Sequence, residues 1–478
     1  MNRFYNFNTL TRYLIWLAVL VLSCKFTKGG AFVALLPVAY SLLAQRKNEV
    51  FFYVLMITTF SMEMNSYFMP KSFTMVVSQK LLLMSVAGIL LLQVFGRRHS
   101  SLLTPVLSLL PYLLFMTGTA HAGWSPAISY LKLLLFVMVF FALYGCAVRT
   151  MNDRCDGGKI RTMILAMSCF MIFGSLLLLP FPGISYMGAD ELLRNPGTVS
   201  LFKGMSWHSQ TLGPMLAMLA TVLFADWVFS IQRRDWLYFG LIACALLLIF
   251  KTSSRTAMGS FLGGVGFVSF FALKDRGVIS KVRAKIVTYA LFSVLLGGVL
   301  VLTVPRLNTA VRTFILKYDK GAGPKTLDKD VILGSRRHKL DSALYNFHRS
   351  PVIGNGFQVS EEMAYVKING LRDMLSAPVE KSTWTYAILE EGGVIGMILF
   401  VLFILVSLGL MIRRRAFVGA ASLFTFLVVN MGEFGFFSMS ASGGTSWTMI
   451  FAGLTLDHVR LQNLRFGHGG YRPRNFRG

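Results

Sequence analysis

The sequence predicts an all-α, polytopic integral membrane protein with about fourteen transmembrane helices and one long external loop containing short helices. Three observations carry this. Of 478 residues, 55% are hydrophobic and only 14% charged, whereas a soluble domain holds roughly 25% charged residues. Apolar runs close to the ~20 residues that cross a bilayer recur along nearly the whole chain. Only one long polar gap, 306–381, interrupts them.

In order, the spans fall at 9–26, 29–45, 50–68, 73–95, 102–120, 127–148, 162–180, 209–229, 236–251, 256–273, 286–305, 387–411, 416–434 and 444–457. The first is too long, and too embedded in a series, to read as a cleaved signal peptide. Residues 1–305 thus hold spans one to eleven, 306–383 a long external loop with amphipathic helices, 384–457 the last three spans, and 458–478 a basic cytoplasmic tail.

The net charge of +26 invites a nucleic-acid partner, but the placement of the charges decides otherwise. With both termini cytoplasmic and loops alternating, the cytoplasmic segments hold 25 Lys and Arg. Counting the residues near span ends (Arg12, Lys25 and Lys251) to the adjoining loops, the short external loops hold 7, the long gap 13, and Lys80 and Lys132 lie deeper inside spans. Basic residues in short loops resist translocation, so this asymmetry orients the chain and no nucleic-acid role is needed. None of the five cysteines falls in an external loop, so no structural disulfide is expected.

Inside the long gap, GSRRHKLDSALYNFHRSPVIGNG (334–356) forms a basic island. Leu340, Ala343, Leu344 and Phe347 recur at helical spacing, with Ser335 as a plausible N-cap, Pro351 as the stop and a tight turn at Gly354 and Gly356. Arg336 precedes Leu340 by four residues and so shares the apolar stripe, unlike Arg337. A guanidinium there needs a carboxylate, a phosphate-class anion or a snorkelling path to water. The island is expected to roof a binding site.

A second signal is KTSSRTAMGS (251–260). It joins spans nine and ten through a very short external turn and sets Arg255 at the outer membrane edge among hydroxyls. Ser254 or Thr252 could cap the next helix, whose amides would favour an anion, although interfacial arginine is also a common anchor. The third is KGMSWHSQTLGPM (203–215), leading into span eight. His208 there could accept a proton near neutral pH, but a lone His beside a Trp at an interface is more often a packing residue.

These residues, in this order, resemble the O-antigen polymerase/O-antigen ligase family of bacterial membrane glycosyltransferases, and its exopolysaccharide polymerase branch in particular. The resemblance rests on SSRTA at 253–257, GSR at 334–336, SALYNFHRSPVIGNG at 342–356, WTYAILEEGGVIGMILF at 384–400 and WHSQTLG at 207–213. It covers about 200–410. It implies an enzyme of the bacterial inner membrane, facing outward, that takes a glycan from a polyprenyl-pyrophosphate carrier without cofactor or metal. The family's two active-site arginines correspond to Arg255 and Arg336. The ligase branch also uses a His before the "L.E.G..G" helix, where this chain has Ser382 and Thr383.

On that resemblance the donor is a polyprenyl-pyrophosphate-linked oligosaccharide embedded among membrane lipids. Partners would be a flippase that delivers it and a chain-length regulator. Arg255 and Arg336 would stabilise charge developing on the leaving diphosphate, with Arg337, Lys203 and Ser254 lending outer support. His208, Glu380 and Glu191 are the candidate bases, Glu380 serving otherwise as an acceptor-binding group. The sole Asp-x-Asp, Asp328–Asp330, is flanked by lysines and reads as a solvated stretch, and no metal cluster or nucleotide loop is present in the sequence. A ligase moving finished glycan is the runner-up. A flippase or transporter is the alternative of another class, and it predicts ionisable residues at mid-membrane.

Overall fold

The computed structural model describes residues 7–26, 48–62, 64–69, 79–80, 82–84, 86–88, 101–123, 125–152, 157–186, 201–229, 236–274, 337–358, 381, 383–432, 435–438 and 442–466. The expected spans 29–45 and 286–305, most of 73–95, and most of the long gap lie outside these residues.

The described chain is helical. Its principal elements are α1 (Phe7–Phe26), α2 (Asn48–Ser61), α3 (Leu110–Thr119), α4 (Pro126–Asn152), α5 (Gly157–Leu178) and α6 (Ser209–Phe229). They continue as α7 (Trp236–Lys251), α8 (Arg255–Lys274), α9 (Arg337–Arg349), α10 (Trp384–Arg413), α11 (Phe417–Val429) and α12 (Ser442–Phe466). No strand forms among the described residues; backbone pairs only as isolated bridges, Met64 with Ser206 and Tyr186 with Phe202. Seven stretches among the described residues are long and apolar enough to cross a membrane: Asn8–Phe26, Ser101–Thr119, Pro126–Asn152, Gly158–Leu178, Ser209–Phe229, Arg255–Lys274 and Trp384–Arg413.

Two expected spans take a different form. The one placed at 50–68 stops as helix at Ser61. Hydroxyls of Thr58, Thr59 and Ser61 donate to carbonyls three or four residues back, which loosens a helix end. Beyond it, the Asn65 amide donates to the carbonyls of Ile184 (2.8 Å) and Gly204 (2.7 Å), ties no sequence pattern announces. The span placed at 102–120 is segmented into Ser101–Leu103, Thr104–Leu107 and α3. Pro105 and Pro111 each sit in a first helical turn, the position that tolerates a missing N–H.

Helix α6 is the hub. Its whole apolar core is buried, and it touches α5, α7, α8, α11 and α12. An all-round apolar helix has no solvent-tolerant face, so it must be enclosed. At its C-terminal end Asp226 takes two hydrogen bonds from Arg161 at the start of α5 (2.8 and 3.0 Å) and a third from Tyr238 Oη at the start of α7 (3.1 Å). Nearby, the Asp457 carboxylate accepts from Gly419 N–H (2.9 Å), and the Arg460 guanidinium lies against the rings of Phe229 and Phe417 and donates to the Arg415 carbonyl. Loops expected on one side of the membrane therefore gather at one end of the bundle. Tyr238→Phe removes one hydrogen bond to a buried carboxylate that keeps its ion pair. It should lower stability by about 1 kcal/mol, read as a melting-temperature drop in detergent.

Candidate functional site

The opposite end of the bundle collects the chemistry. Helix α7 ends at Lys251 and the chain turns through Thr252, Ser253 and Ser254 into α8. Ser253 takes the left-handed conformation (φ 52°) that closes so short a turn. Thr252 Oγ1 accepts from Ser254 N–H (3.3 Å), and Ser254 Oγ accepts from Ala257 N–H (3.4 Å), so Ser254 caps α8. Arg255 is the first residue of α8 and half-buried.

The turn is pressed onto the start of α6. A Cβ on Gly213 would lie 2.8 Å from Ser254 Cβ and 2.9 Å from Thr252 Oγ1. SSRTA and WHSQTLG are thus in direct contact. His208 precedes α6, and its Nδ1 accepts from Gln210 N–H at 3.0 Å. The ring helps to start the helix. Lys203 is half-buried, and its backbone N–H donates to the Ser185 carbonyl at 2.7 Å. Gly432, after α11, is equally close to the turn through Thr256. Two residues earlier, the Asn430 carbonyl accepts from Trp384 N–H (3.0 Å) at the head of α10.

The basic island begins as helix at Arg337 and ends before Pro351. Leu340 and Ala343 face inward, but the most buried residue of α9 is polar: Asn346, 1% exposed. The segment after α9 does not form a roof. Residues 354–358 enter the bundle between α4 and α10, while 351–353 stay exposed. Phe357 is fully buried beside Phe136 and Phe437, and its N–H donates to Ser129 Oγ at 2.8 Å.

This loop repairs a break in α10. Gly393 has φ 61° and ψ −160°, outside any helix. An unbroken helix would bond the amides of Val394 and Ile395 to the carbonyls of Glu390 and Glu391. Instead Val394 N–H donates to Pro351 O (2.8 Å) and Ile395 N–H to Val352 O (3.2 Å). The carbonyls of Glu390 and Glu391 accept from Asn355 N–H (2.9 Å) and Gly356 N–H (3.1 Å). Buried backbone groups must be paired, and here the island supplies the partners of these four groups.

A buried ion network sits at the break. Lys381 Nζ lies 3.1 Å from Glu390 Oε2 and 2.9 Å from Glu391 Oε1. Asn346 Nδ2 donates to Glu390 Oε1 (2.8 Å), the amide of Gln358 faces the Glu391 carboxylate, and Lys132 Nζ donates to the Gln358 carbonyl (3.3 Å). Burial alone would lower the pKa of Lys381, but the two carboxylates outweigh it and hold the ammonium above the ordinary lysine range.

Of the residues singled out from sequence, Lys203, His208, Ser254 and Arg255 lie on segments gathered at this end. Arg337 opens α9, while Arg336, Glu380 and Glu191 fall outside the described residues. Sequence reasoning missed Lys381, Glu390 and Asn346, and took Glu391 only as a motif marker. Two adjacent carboxylates in an apolar run were the available signal, since such charges demand a partner. Among the described residues no His/Cys/Asp/Glu group could hold a metal ion.

Fold and site together define an all-helical protein whose described residues include seven helices of membrane-crossing length and apolarity and one broken helix sealed by a re-entrant loop. Neither a protein-family model nor a curated protein matches the chain.

Proposed function

We propose that the protein is a multi-pass glycosyltransferase of the bacterial inner membrane, a polymerase of surface polysaccharide or exopolysaccharide. Both termini are cytoplasmic. It transfers glycan from a polyprenyl-pyrophosphate carrier to a lipid-linked acceptor repeat unit on the outer face. One observation carries this reading. The segments that resemble the family are distant in sequence yet form two contacting pairs, WHSQTLG with SSRTA and PVIGNG with LEEGG, and the chain at Asn430 and Gly432 touches Trp384 on one side and Thr256 on the other.

In this reading Arg255 sits at a helix start beside hydroxyl groups, where a diphosphate finds both a guanidinium and a favourable dipole. As the sugar–phosphate bond breaks, negative charge grows on the leaving diphosphate, and a fixed cation near the low-dielectric boundary lowers that barrier. Arg336, one residue before α9, supplies the second guanidinium. His208 Nδ1 accepts from a backbone amide, so the neutral ring carries its proton on Nε2.

Two observations weigh between the alternatives. The ligase reading lacks its His, because Thr383 stands at the head of α10. Transporters use the free ends of broken helices to hold ions and substrates, whereas the ends at Gly393 are occupied by Pro351, Val352, Asn355 and Gly356.

Lipid-linked products in cells lacking the protein test the reading. A polymerase defect leaves single repeat units on the carrier, a ligase defect leaves long chains, and a flippase defect strands units on the inner leaflet. Long carrier-linked chains would end the polymerase reading. Arg255→Ala, at wild-type protein level, should cut polymer formation about a hundredfold; full-length polymer at normal yield would remove Arg255 from the chemistry.

A further inference from the structure

The outer surface of α9 and the tip of the re-entrant loop take no part in the proposed chemistry. Val352 and Ile353 are exposed, at 57% and 40%. They lie beside exposed Val394 and Ile395 of α10, to which the Pro351 and Val352 carbonyls are hydrogen-bonded. The exposed apolar face then runs on along α10 through Ile398 and Leu402 at helical spacing. A stripe of this kind on a helix of membrane length is covered by acyl chains.

Immediately above Val352 the chemistry changes. Exposed His348 and Arg349 close α9, with the Arg349 guanidinium 5.5 Å from the exposed Tyr345 ring. The helix carries Arg337, Lys339 and Arg349 against a single Asp341. An aromatic and basic band directly over an apolar edge is the pattern of a segment lying at the headgroup level.

We propose that α9 and the Val352–Ile353 tip form an interfacial anchor that binds anionic phospholipid headgroups. Apolar continuity with α10 sets the depth: the tip sits among the upper acyl carbons, so Arg349 and Lys339 lie at the phosphate plane. Their positive charge complements an anionic headgroup and gains nothing from a neutral one. The anchor also gives the basic island a physical purpose, because it fixes the height of the loop that seals α10. The inference rests on the membrane part of the proposed function and not on its enzymatic part.

The test uses full-length protein in nanodiscs of equal phosphatidylglycerol and phosphatidylcholine. A spin label at Ile353→Cys, on a cysteine-free background that keeps the wild-type melting temperature, should relax faster with oxygen than with an aqueous nickel chelate. Phosphatidylglycerol should be enriched among the lipids retained on detergent extraction, and each of Lys339→Gln and Arg349→Gln should reduce that enrichment by up to roughly fivefold. Greater access to the chelate, equal retention of both lipids, enrichment unchanged in both variants, or dipolar broadening from a second copy seated on the label would each overturn the anchor. Failure to insert into nanodiscs at all would instead overturn the membrane reading.

Discussion

Gly354→Ala should abolish the folded protein. Gly354 has φ 75°, and a Cβ there would lie 2.3 Å from the carbonyl carbon and oxygen of Glu391 and 2.4 Å from Gly392 N. All three atoms belong to backbone at the break in α10, so no side chain can swing aside. The left-handed conformation adds roughly 1–2 kcal/mol for any residue with a Cβ. Withdrawing the loop would leave the amides of Val394 and Ile395 and the two glutamate carbonyls unpaired away from water, at a cost of about 1–3 kcal/mol per group. The expected loss exceeds about 4 kcal/mol, the range of diagnostic substitutions. It should be read as loss of the monodisperse peak on size exclusion. Gly118→Ala is the control: nothing lies within 4 Å of the added methyl, and in the last turn of α3 the change should be neutral or stabilising by up to about 1 kcal/mol. A Gly354→Ala protein that melts like wild type would mean the loop does not occupy the break.

Lys381→Met should be the most damaging single change in the ion network. It leaves Glu390 and Glu391 facing each other in a buried site with no cation between them. Removing one partner of a buried pair costs about 3–5 kcal/mol, mostly from the stranded charge. Neutralising the stranded groups should therefore restore much of the loss, so Lys381→Met/Glu390→Gln/Glu391→Gln should melt well above Lys381→Met. No recovery in the triple variant would show that Lys381 acts through packing. The pH dependence has a definite sign. The folded pKa of Lys381 is raised above the ordinary 10.5, so its stabilising contribution is complete below that value. It is lost as pH rises through the higher folded value. Wild-type protein should carry an alkaline destabilisation that Lys381→Met lacks.

Much of the architecture was legible in the chain. Spans 127–148, 209–229 and 256–273 appear as α4, α6 and α8 with ends shifted by a few residues, because about twenty predominantly apolar residues have few alternatives to a helix. The stop at Pro351 and the turn at Gly354 and Gly356 were also readable, since proline and glycine restrict or free the backbone locally. The early end of α2 was not, because Asn65 reaches carbonyls more than a hundred residues away. The break in α10 was hidden too. Its GG pair carries no local signal of a break until another segment offers hydrogen bonds to the exposed backbone.

The candidate site divides in the same way. Arg255 and the cap at Ser254 stand out in sequence because charge and hydroxyls rarely interrupt apolar runs. Asn346 and Lys381 do not, for each looks like an ordinary polar residue of a long loop, and Glu390 is signalled only by its pairing with Glu391 in an apolar run.

By itself the sequence determined the helical class, the positions of several spans and which short loops carry the positive charge, since these follow from local apolarity and charge. Only the tertiary structure decided that the basic island is two devices, a helix at the surface and a loop threaded into the bundle. The reason is physical: a backbone group that loses its helical partner has to be satisfied by whatever segment the fold brings alongside, and that choice is made in space rather than along the chain.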